Sequence, residues 1–393
     1  MNRRIWALVM ALLLPLAGAW AEETDEEVSI AGYLDHKSDT AQAAAADEQA
    51  AAEAAAAASV KQPTYAADGS VVLTMTFTGD VTIGSNMQSS SKSIFEKELD
   101  KQGGDVNFPF RNFKDMFEAD DLTVVNFEGT LTTAGRNRNK LDNEFLFRAP
   151  PEYVSMLPSN GIEAVSLENN HVLDMGEDGL AETKQTLTSA GVTYASEDEP
   201  GIVELFGVKV GMLAYQTFDN QYPRLYEKVP KDIDELRAKG CQLVIVSYHW
   251  GAEKDYAPND NQQTLAKLTI DCGADLVVGH HSHRINPIEE YNGHYICYSL
   301  GNFSFAGNSK PNDMSTFVFQ TKFKVNLETG AAEPYGFIIV PSRISSRTDY
   351  NDFAPTPYAK QESITSVLNV LKKNGESLEN PVSEYPLSWN ADR

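Results

Sequence analysis

The spacing of apolar and polar positions along this chain changes repeatedly between a period of two and one near 3.6, and those changes mark off its elements. Val71-Val72-Leu73-Thr74-Met75-Thr76-Phe77 predicts a strand ending at Thr78-Gly79-Asp80. Helical spacing follows over residues 110–119, and residues 122–127 predict a strand ending at Glu128. Residues 151–158 read as helical, and 162–167 as a strand ending at Asn169-Asn170-His171. A helix is expected over 178–190, with Gly191 as its stop signal. Residues 203–205 and 208–215, joined by Phe206-Gly207, predict a hairpin. Residues 233–239 then read as a helix closed by Gly240, 243–247 as a strand ending at His249, and 262–272 as a helix. Residues 276–278 form a strand leading into His280-His281-Ser282-His283. Strands at 288–291, 295–299, 317–325 and 337–340 follow, and the last clear helix covers 363–373.

Apolar strands that alternate with helices predict an α/β fold whose largely parallel sheet is covered on two sides. Ligand-type side chains stand at the C-terminal end of one strand after another. In open α/β sheets that edge is where sites form.

The ends of the chain read differently. Arg3 and Arg4, an apolar run to about Leu16 and Ala19-Trp20-Ala21 before Glu22 predict a signal peptide over residues 1–21. An uncleaved signal-anchor is the alternative, although the run is short for a bilayer span. The protein is therefore expected to be exported, to the exterior or the cell envelope. Residues 22–66 hold ten acidic residues against Lys37 and Lys61, with an Ala-rich run at 41–59, and read as a disordered tether. The main domain is expected over 67–345. A C-terminal extension, 346–393, is expected to pack on it or to be partly flexible.

Charge narrows the partners. The chain carries −24; losing Arg3 and Arg4 with the leader gives −26, and the tether's −8 leaves −18 on the remainder. Such a balance argues against nucleic acid and anionic membrane surfaces. Cys241, Cys272 and Cys297 are an odd set without CxxC spacing. Cys241 and Cys272 could pair, and buried free thiols fit as well.

The candidate chemistry lies in the strand-end segments. Of seven histidines, His171, His249, His280, His281 and His283 fall there, while His36 and His294 read as surface or hairpin residues. Asp80, Glu128, Asn170, His171, His249, His281 and His283 are the candidate donors. Alone, Gly79-Asp80 also fits a capped turn, and Glu128 a solvated loop acid. Imidazoles combined with carboxylates suit Zn, Mn or Fe better than Ca or purely Mg coordination. A carboxylate can bridge two such ions, and two ions can clamp a phosphate and activate water.

The ordered set of segments resembles the calcineurin-like metallophosphoesterases, and within them the bacterial capsule-synthesis CapA family associated with poly-γ-glutamate. The stretches that carry the resemblance are Gly79-Asp80-Val81-Thr82-Ile83-Gly84, Asn126-Phe127-Glu128, Phe147-Arg148-Ala149-Pro150 and Asn169-Asn170-His171-Val172-Leu173-Asp174-Met175-Gly176. His249-Trp250-Gly251-Ala252-Glu253, Gly279-His280-His281-Ser282-His283 and Tyr298-Ser299-Leu300-Gly301-Asn302-Phe303 complete them. The resemblance implies a metallophosphoesterase-like four-layer α/β/β/α sandwich. It implies Asp80, Glu128, Asn170, His249, His281 and His283 as ligands to two divalent metal ions, Mn, Zn or Fe. It further implies His171 as a catalytic acid or charge-stabilising group, and Arg148 as a grip on an anionic substrate group, where a surface salt bridge fits equally. Asn126, Asn169, Asp174, Glu253, His280 and Asn302 would stand behind the ligands or face substrate. Asp174 either orients a neighbouring loop or caps the helix that follows it. The chain departs from the family pattern at Ser282, where Pro is frequent, at Glu168, where a small residue is usual, and in lacking the Asp-x-His of ordinary calcineurin-like enzymes.

The function implied is that of an exported metal-dependent protein of poly-γ-glutamate capsule or related envelope-polymer synthesis or processing, hydrolase-like with metal-activated water, and either hydrolytic or transferring on a phosphate or amide bond. Its expected partners are an anionic envelope polymer or precursor and membrane-bound synthesis machinery, with no nucleic acid. A non-catalytic export or assembly component that keeps the fold is the alternative, and a plain phosphodiesterase is a third reading.

Overall fold

The computed structural model describes residues 61–86, 93–135 and 145–390. The expected leader, the Ala-rich run and all of the tether before Lys61 lie outside the described residues. Among the described residues, eighteen strands form three sheets. The largest contains β1 (Thr64–Tyr65), β2 (Val71–Thr82), β4 (Leu122–Phe127), β7 (Ala164–Ser166), β8 (Thr193–Ala195), β15 (Asn302–Phe305), β16 (Ser315–Val325), β17 (Ala332–Arg343) and β18 (Thr356–Pro357). Its main order is β18-β17-β16-β2-β4-β7-β8, with β2, β4, β7 and β8 parallel. The second holds β9 (Gly201–Leu205), β10 (Val208–Thr217), β11 (Leu243–Trp250), β12 (Leu276–His280), β13 (Ile288–Tyr291) and β14 (His294–Cys297), in the order β13-β14-β12-β11-β10-β9. A small third sheet joins β3 (Ser85–Asn86), β6 (Phe147–Ala149) and β5 (Thr130–Leu131).

Strand periodicity sets the layers. In β2, Val71, Leu73, Met75 and Phe77 share one core with Val208, Val210, Met212 and Ala214 of β10, Leu243 and Ile245 of β11, and Leu276 and Val278 of β12. These are alternate positions, so the two sheets pack face to face through them. The opposite face of the larger sheet, with Val125, Phe127 and Val165, packs on α1 (Ile94–Lys101), α2 (Lys114–Ala119) and α3 (Gly176–Ser189) through Phe95, Phe117 and Leu187. The outer face of the second sheet, with Val244, Val246 and Val277, packs on α4 (Tyr222–Ala238) and α5 (Asp260–Asp271). The result is a four-layer α/β/β/α sandwich. The alternation of elements predicts one sheet covered on two sides; the structure divides the strands over two, because each presents an apolar face to the other.

The boundaries follow local physics. Phe206 (φ 52°) and Gly207 (φ 83°) make the two-residue turn that pairs Leu205 with Val208, as a type I′ hairpin requires. Helix α4 begins eleven residues before its expected start at 233. Pro223 and Pro230 mask it in the sequence, yet Tyr222, Leu225, Val229, Ile233 and Leu236 form its buried stripe. Helix α1 is not foreseen either, although Ser93 and Glu96 form a reciprocal capping box. Residues 110–119 are helical only from Lys114, and 151–158 is 3-10 rather than α-helix.

Pro63–Arg393 forms one compact unit. The described part of 346–393 belongs to it: Val367 and Leu371 of α6 (Gln361–Gly375) enter the inter-sheet core, and Trp389 Nε1 donates to Gln320 Oε1 at 3.0 Å. Cys241, Cys272 and Cys297 are all free thiols. No helix among the described residues is long and apolar enough to cross a membrane.

Candidate metal centre

The same parity that builds the core aims the ligand-type side chains. In β4, Leu122 and Val124 face the second sheet, so Asn126 and, just past the strand, Glu128 fall on that side. In β11, Leu243 and Ile245 face the first sheet, which places His249 there too. Strand β2 needs one correction. Its odd positions face the second sheet up to Phe77, yet Val81 and Ile83 pack on the helix side. A register shift against β4 between Phe77 and Asp80 inserts one residue, which exchanges the two faces and turns Asp80 inward. Gly79 makes this possible: a Cβ there would lie 1.9 Å from Gly301 O, where β15 joins β2 and Asp80 N–H donates to Gly301 O at 2.9 Å. The loop after β12 turns by left-handed backbone at His281 (φ 91°) and His283 (φ 52°), strained for side chains with a Cβ. Ser282 Oγ closes that turn, 2.9 Å from Arg284 O and 3.0 Å from Ser299 Oγ.

The six expected ligands come together as two groups of three. In the first, donor atoms of Asp80, Glu128 and His283 all lie within 4.8 Å of one another. His283 Nδ1 is 3.1 Å from Asp80 Oδ2 and 2.9 Å from Asn302 Oδ1, and His280 Nδ1 is 3.4 Å from Asp80 Oδ1. In the second group His249 Nε2 lies 2.8 Å from Asn170 Oδ1 and 3.0 Å from His281 Nδ1. Neighbouring donors on one ion, each bonded at about 2.1 Å, stand about 3 Å apart in the same way. Asn126 sits between the groups: its Nδ2 donates to Asp80 Oδ1 at 2.8 Å and lies 3.4 Å from His249 Nδ1. Asn169 donates to Phe127 O at 2.8 Å and accepts the His171 N–H at 3.0 Å, which fixes the turn behind Asn170.

Glu128 is fully buried, and neither carboxylate oxygen has a hydrogen-bond partner. Burial, then the charge of Asp80, pushes its carboxyl well above the ordinary carboxylate range. Burial also opposes ionisation of Asp80, but hydrogen bonding and charge from His280 and His283 outweigh it and hold Asp80 well below that range. For His283, burial disfavours the cation, yet Glu128 and Asp80 prevail and raise its pKa to about 9. Burial and neighbouring imidazoles lower His249 well below its usual value and His281 to about 4, so both are neutral donors at neutral pH. A buried carboxylate without a donor beside a second carboxylate and a ring of imidazoles is a set of lone pairs that a divalent cation satisfies. The residues fit the expected group.

His171 is 7 % exposed, with Nδ1 2.8 Å from Asp174 Oδ2 and Nε2 3.5 Å from Glu128 Oε1. Asp174 Oδ2 also accepts the Phe147 N–H at 2.6 Å, so this carboxylate ties His171 to strand β6. It does not cap α3, which starts after Met175 without a side-chain cap. A cavity of ≈380 Å³ opens beside the centre, and His171, His283 and Asn302 form part of its wall. Glu253 lies exposed at its edge. Arg148 is not in that wall; its Nη1 donates to Ala134 O at 2.9 Å. Two cationic residues that the sequence reading leaves out, Lys254 and Arg284, do line the cavity, as do Phe145, Phe147 and Phe305. Their signal was position: Lys254 directly follows the His249-Trp250-Gly251-Ala252-Glu253 segment, and Arg284 directly follows His283.

The fold is thus a four-layer sandwich that gathers histidines, carboxylates and amides where the two sheets face each other. The chain belongs to the bacterial capsule synthesis protein family PGA_cap, whose model matches residues 74–306 and so spans all six expected ligands. It is 32% identical over 264 residues to the PGA biosynthesis protein CapA of Bacillus subtilis, covering 62% of this chain and 66% of that one. It is 29% identical over 256 residues to the capsule biosynthesis protein CapA of Bacillus anthracis, covering 59% of this chain and 60% of that one. The chain thus spans slightly less than two-thirds of the length of these relatives. A solved phosphatase from Mycoplasma pneumoniae is similar at 12% identity and a TM-score of 0.41, over 77% of this chain and 99% of that one.

Proposed function

We propose that this protein is an exported, metal-dependent, hydrolase-like component of poly-γ-glutamate capsule or related envelope-polymer synthesis. The observation that carries the reading is Glu128, wholly buried, without a hydrogen bond, and grouped with Asp80 and His283. The names of the two Bacillus relatives supply the polymer context. Asp80, Glu128 and His283 would hold one divalent ion, and Asn170, His249 and His281 a second, Mn, Zn or Fe by donor chemistry. When bound, such ions offset the charge of an anionic substrate and make water more acidic.

The chain's own residues do the rest. Asp174 Oδ2 accepts a hydrogen bond from His171 Nδ1–H, which leaves Nε2 as the atom that takes up and delivers a proton at the cavity. Asn302 and the rings of Phe147 and Phe305 enclose that side of the cavity and limit water. An anionic polymer or its precursor is the substrate class. Membrane-bound synthesis machinery is the expected partner, reached from an exported position on the acidic tether.

The test is metal analysis of purified protein, with turnover of γ-linked polyglutamate and of bis(4-nitrophenyl) phosphate by the parent and His171→Ala. Bound metal in both proteins, with turnover at least about a hundredfold lower in the variant, is the expected result. Protein without metal, or turnover indifferent to His171, overturns the reading in favour of a non-catalytic assembly component.

A further inference from the structure

The cavity wall beside the candidate centre carries chemistry that the ligand set does not use. Arg284 follows His283, and its side chain is 14% exposed. Its Nη1 donates to His283 O at 2.7 Å, which turns the guanidinium back along the histidine loop. Its Nε is buried without a hydrogen bond, and Asp313 Oδ2 stands 3.8 Å from it. The guanidinium lies over the Tyr256 ring, 5.7 Å from its centroid, and Tyr256 OH donates to the same Asp313 Oδ2 at 2.6 Å. Arg284 is therefore held in place by a loop carbonyl, a ring and a carboxylate, while its ion pair at 3.8 Å is loose.

Lys254 reaches the cavity from the other loop. It holds left-handed backbone at φ 72°, a strained state for a residue with a Cβ. Its N–H donates to Ser282 O at 2.7 Å, so the strained residue is clamped to the histidine loop. Two loops, each bearing ligand-type residues, thus each deliver a cation to one cavity of a chain whose net charge is −24. Among the described residues, the titratable groups of that wall are His171, Glu253, Lys254, His283 and Arg284, and Glu253 is the sole carboxylate among them. The remaining wall joins amides, Asn302, Asn308 and Asn312, to the rings of Phe145, Phe147 and Phe305.

From this arrangement we infer that Arg284, with Lys254, forms a carboxylate-recognition site that fixes a substrate anion next to the candidate metal centre. It takes a chain that carries carboxylates on methylene and amide groups. The cations meet the carboxylate, the amides meet peptide-type groups, and the rings cover methylenes. A bare phosphate can take hydrogen bonds from the cations and amides but has no methylenes for the rings to cover. Arg284 is thereby the specificity residue of the proposed reaction, in the role the sequence offers to Arg148, and Glu253 opposes it by charge. This inference deepens the function proposed above and rests on it.

Binding of a γ-linked glutamate tetramer and, separately, of inorganic phosphate is measured by calorimetry on the full chain, metal-loaded and after chelation. The parent is compared with Arg284→Gln, Arg284→Lys, Lys254→Gln and Glu253→Gln, with melting temperature and metal content recorded for each. Expected for the tetramer is a loss of about tenfold with Arg284→Gln, a smaller loss with Arg284→Lys and Lys254→Gln, and a gain of about twofold with Glu253→Gln. The differences shrink as salt rises, and metal content is the same in all five proteins. Failure of the parent to bind the tetramer, equal binding by parent and Arg284→Gln, or tighter binding of phosphate than of tetramer each overturns the inference. Those outcomes are distinct from failure of the functional reading, which is read from metal content and His171-dependent turnover.

Discussion

Replacing Glu128 by Met is expected to stabilise the metal-free protein and to weaken its stabilisation by metal. The side chain is fully buried and both of its oxygens lack hydrogen bonds. Leaving a buried polar group unsatisfied costs about 1–3 kcal/mol, whereas an apolar group of similar shape carries no such cost. Met is unbranched and close to Glu in length, so it fills the space without a large cavity. Glu128→Met is therefore expected to stabilise the chelated protein by about 1–3 kcal/mol. In a unit the size of Pro63–Arg393 each kcal/mol moves the melting temperature by about 2 °C, so the gain is about 2–6 °C.

Metal acts in the opposite direction. A ligand that binds only the folded state at a hundred times its Kd adds about 2.7 kcal/mol, or about 5 °C on the same scale. The parent would receive that stabilisation through three donors, and the variant would keep only Asp80 and His283 of that group. Scanning calorimetry of both proteins, in chelator and in a Mn²⁺ or Zn²⁺ series, reads the effect directly. The variant should melt above the parent in chelator and gain less from metal. A variant that melts below the parent in chelator, or gains as much from metal, would refute the account of Glu128 as a ligand kept without a hydrogen bond.

Two further changes probe the frame around the centre. In Gly79→Ala the new Cβ would lie 1.9 Å from Gly301 O, a backbone atom that cannot swing aside, so β2 and β15 must separate. A loss above about 3 kcal/mol in denaturant titration is expected, together with weaker metal retention, because Asp80 N–H bonds the same carbonyl; a stability within about 0.5 kcal/mol of the parent would contradict the packing argument. Burial raises the pKa of Asp275 despite the Arg237 guanidinium 2.8 Å away, so between the ordinary carboxylate range and that raised value the folded state holds more protons than the unfolded one. Stability contributed there falls as pH rises through that window. Asp275→Asn keeps an acceptor for the Val244 N–H and should flatten the fall, which urea titrations across pH 4–8 would register; an unchanged slope counts against it.

Much of the centre was legible because its residues follow from strand parity and strand ends. Leu122 and Val124 fix the inward face of β4, and Asn126 and Glu128 follow by counting in twos. Leu243 and Ile245 do the same for His249. The histidines after β12 could be read as a cluster, but not as two groups of three, because that division depends on left-handed turns at His281 and His283. Helix α4 was hidden by its prolines, since propensity argues against what the buried stripe from Tyr222 to Leu236 enforces. Arg148 sat in a motif and drew attention, yet its guanidinium is engaged by the Ala134 carbonyl. Arg284 and Lys254 stood one residue outside motifs and drew none.

Asp80 marks the limit of reading by pattern. Counted from Val71 in twos, an even position in β2 points to the helices, and Asp80 would be lost to the centre. What turns it inward is one extra residue between Phe77 and Asp80, and nothing in the alternation of Val71-Val72-Leu73-Thr74-Met75-Thr76-Phe77 announces it. The glycine does carry a trace of it. A Gly in the interior of a buried strand weakens the strand unless another backbone must come close, and at Gly79 that backbone is Gly301. The close approach joins β15, with Asn302, to β2, with Asp80, and His283 lies against both side chains. The bulge, the glycine and the contact with the Gly301 segment are thus one device: remove any of the three and Asp80 and His283 no longer meet.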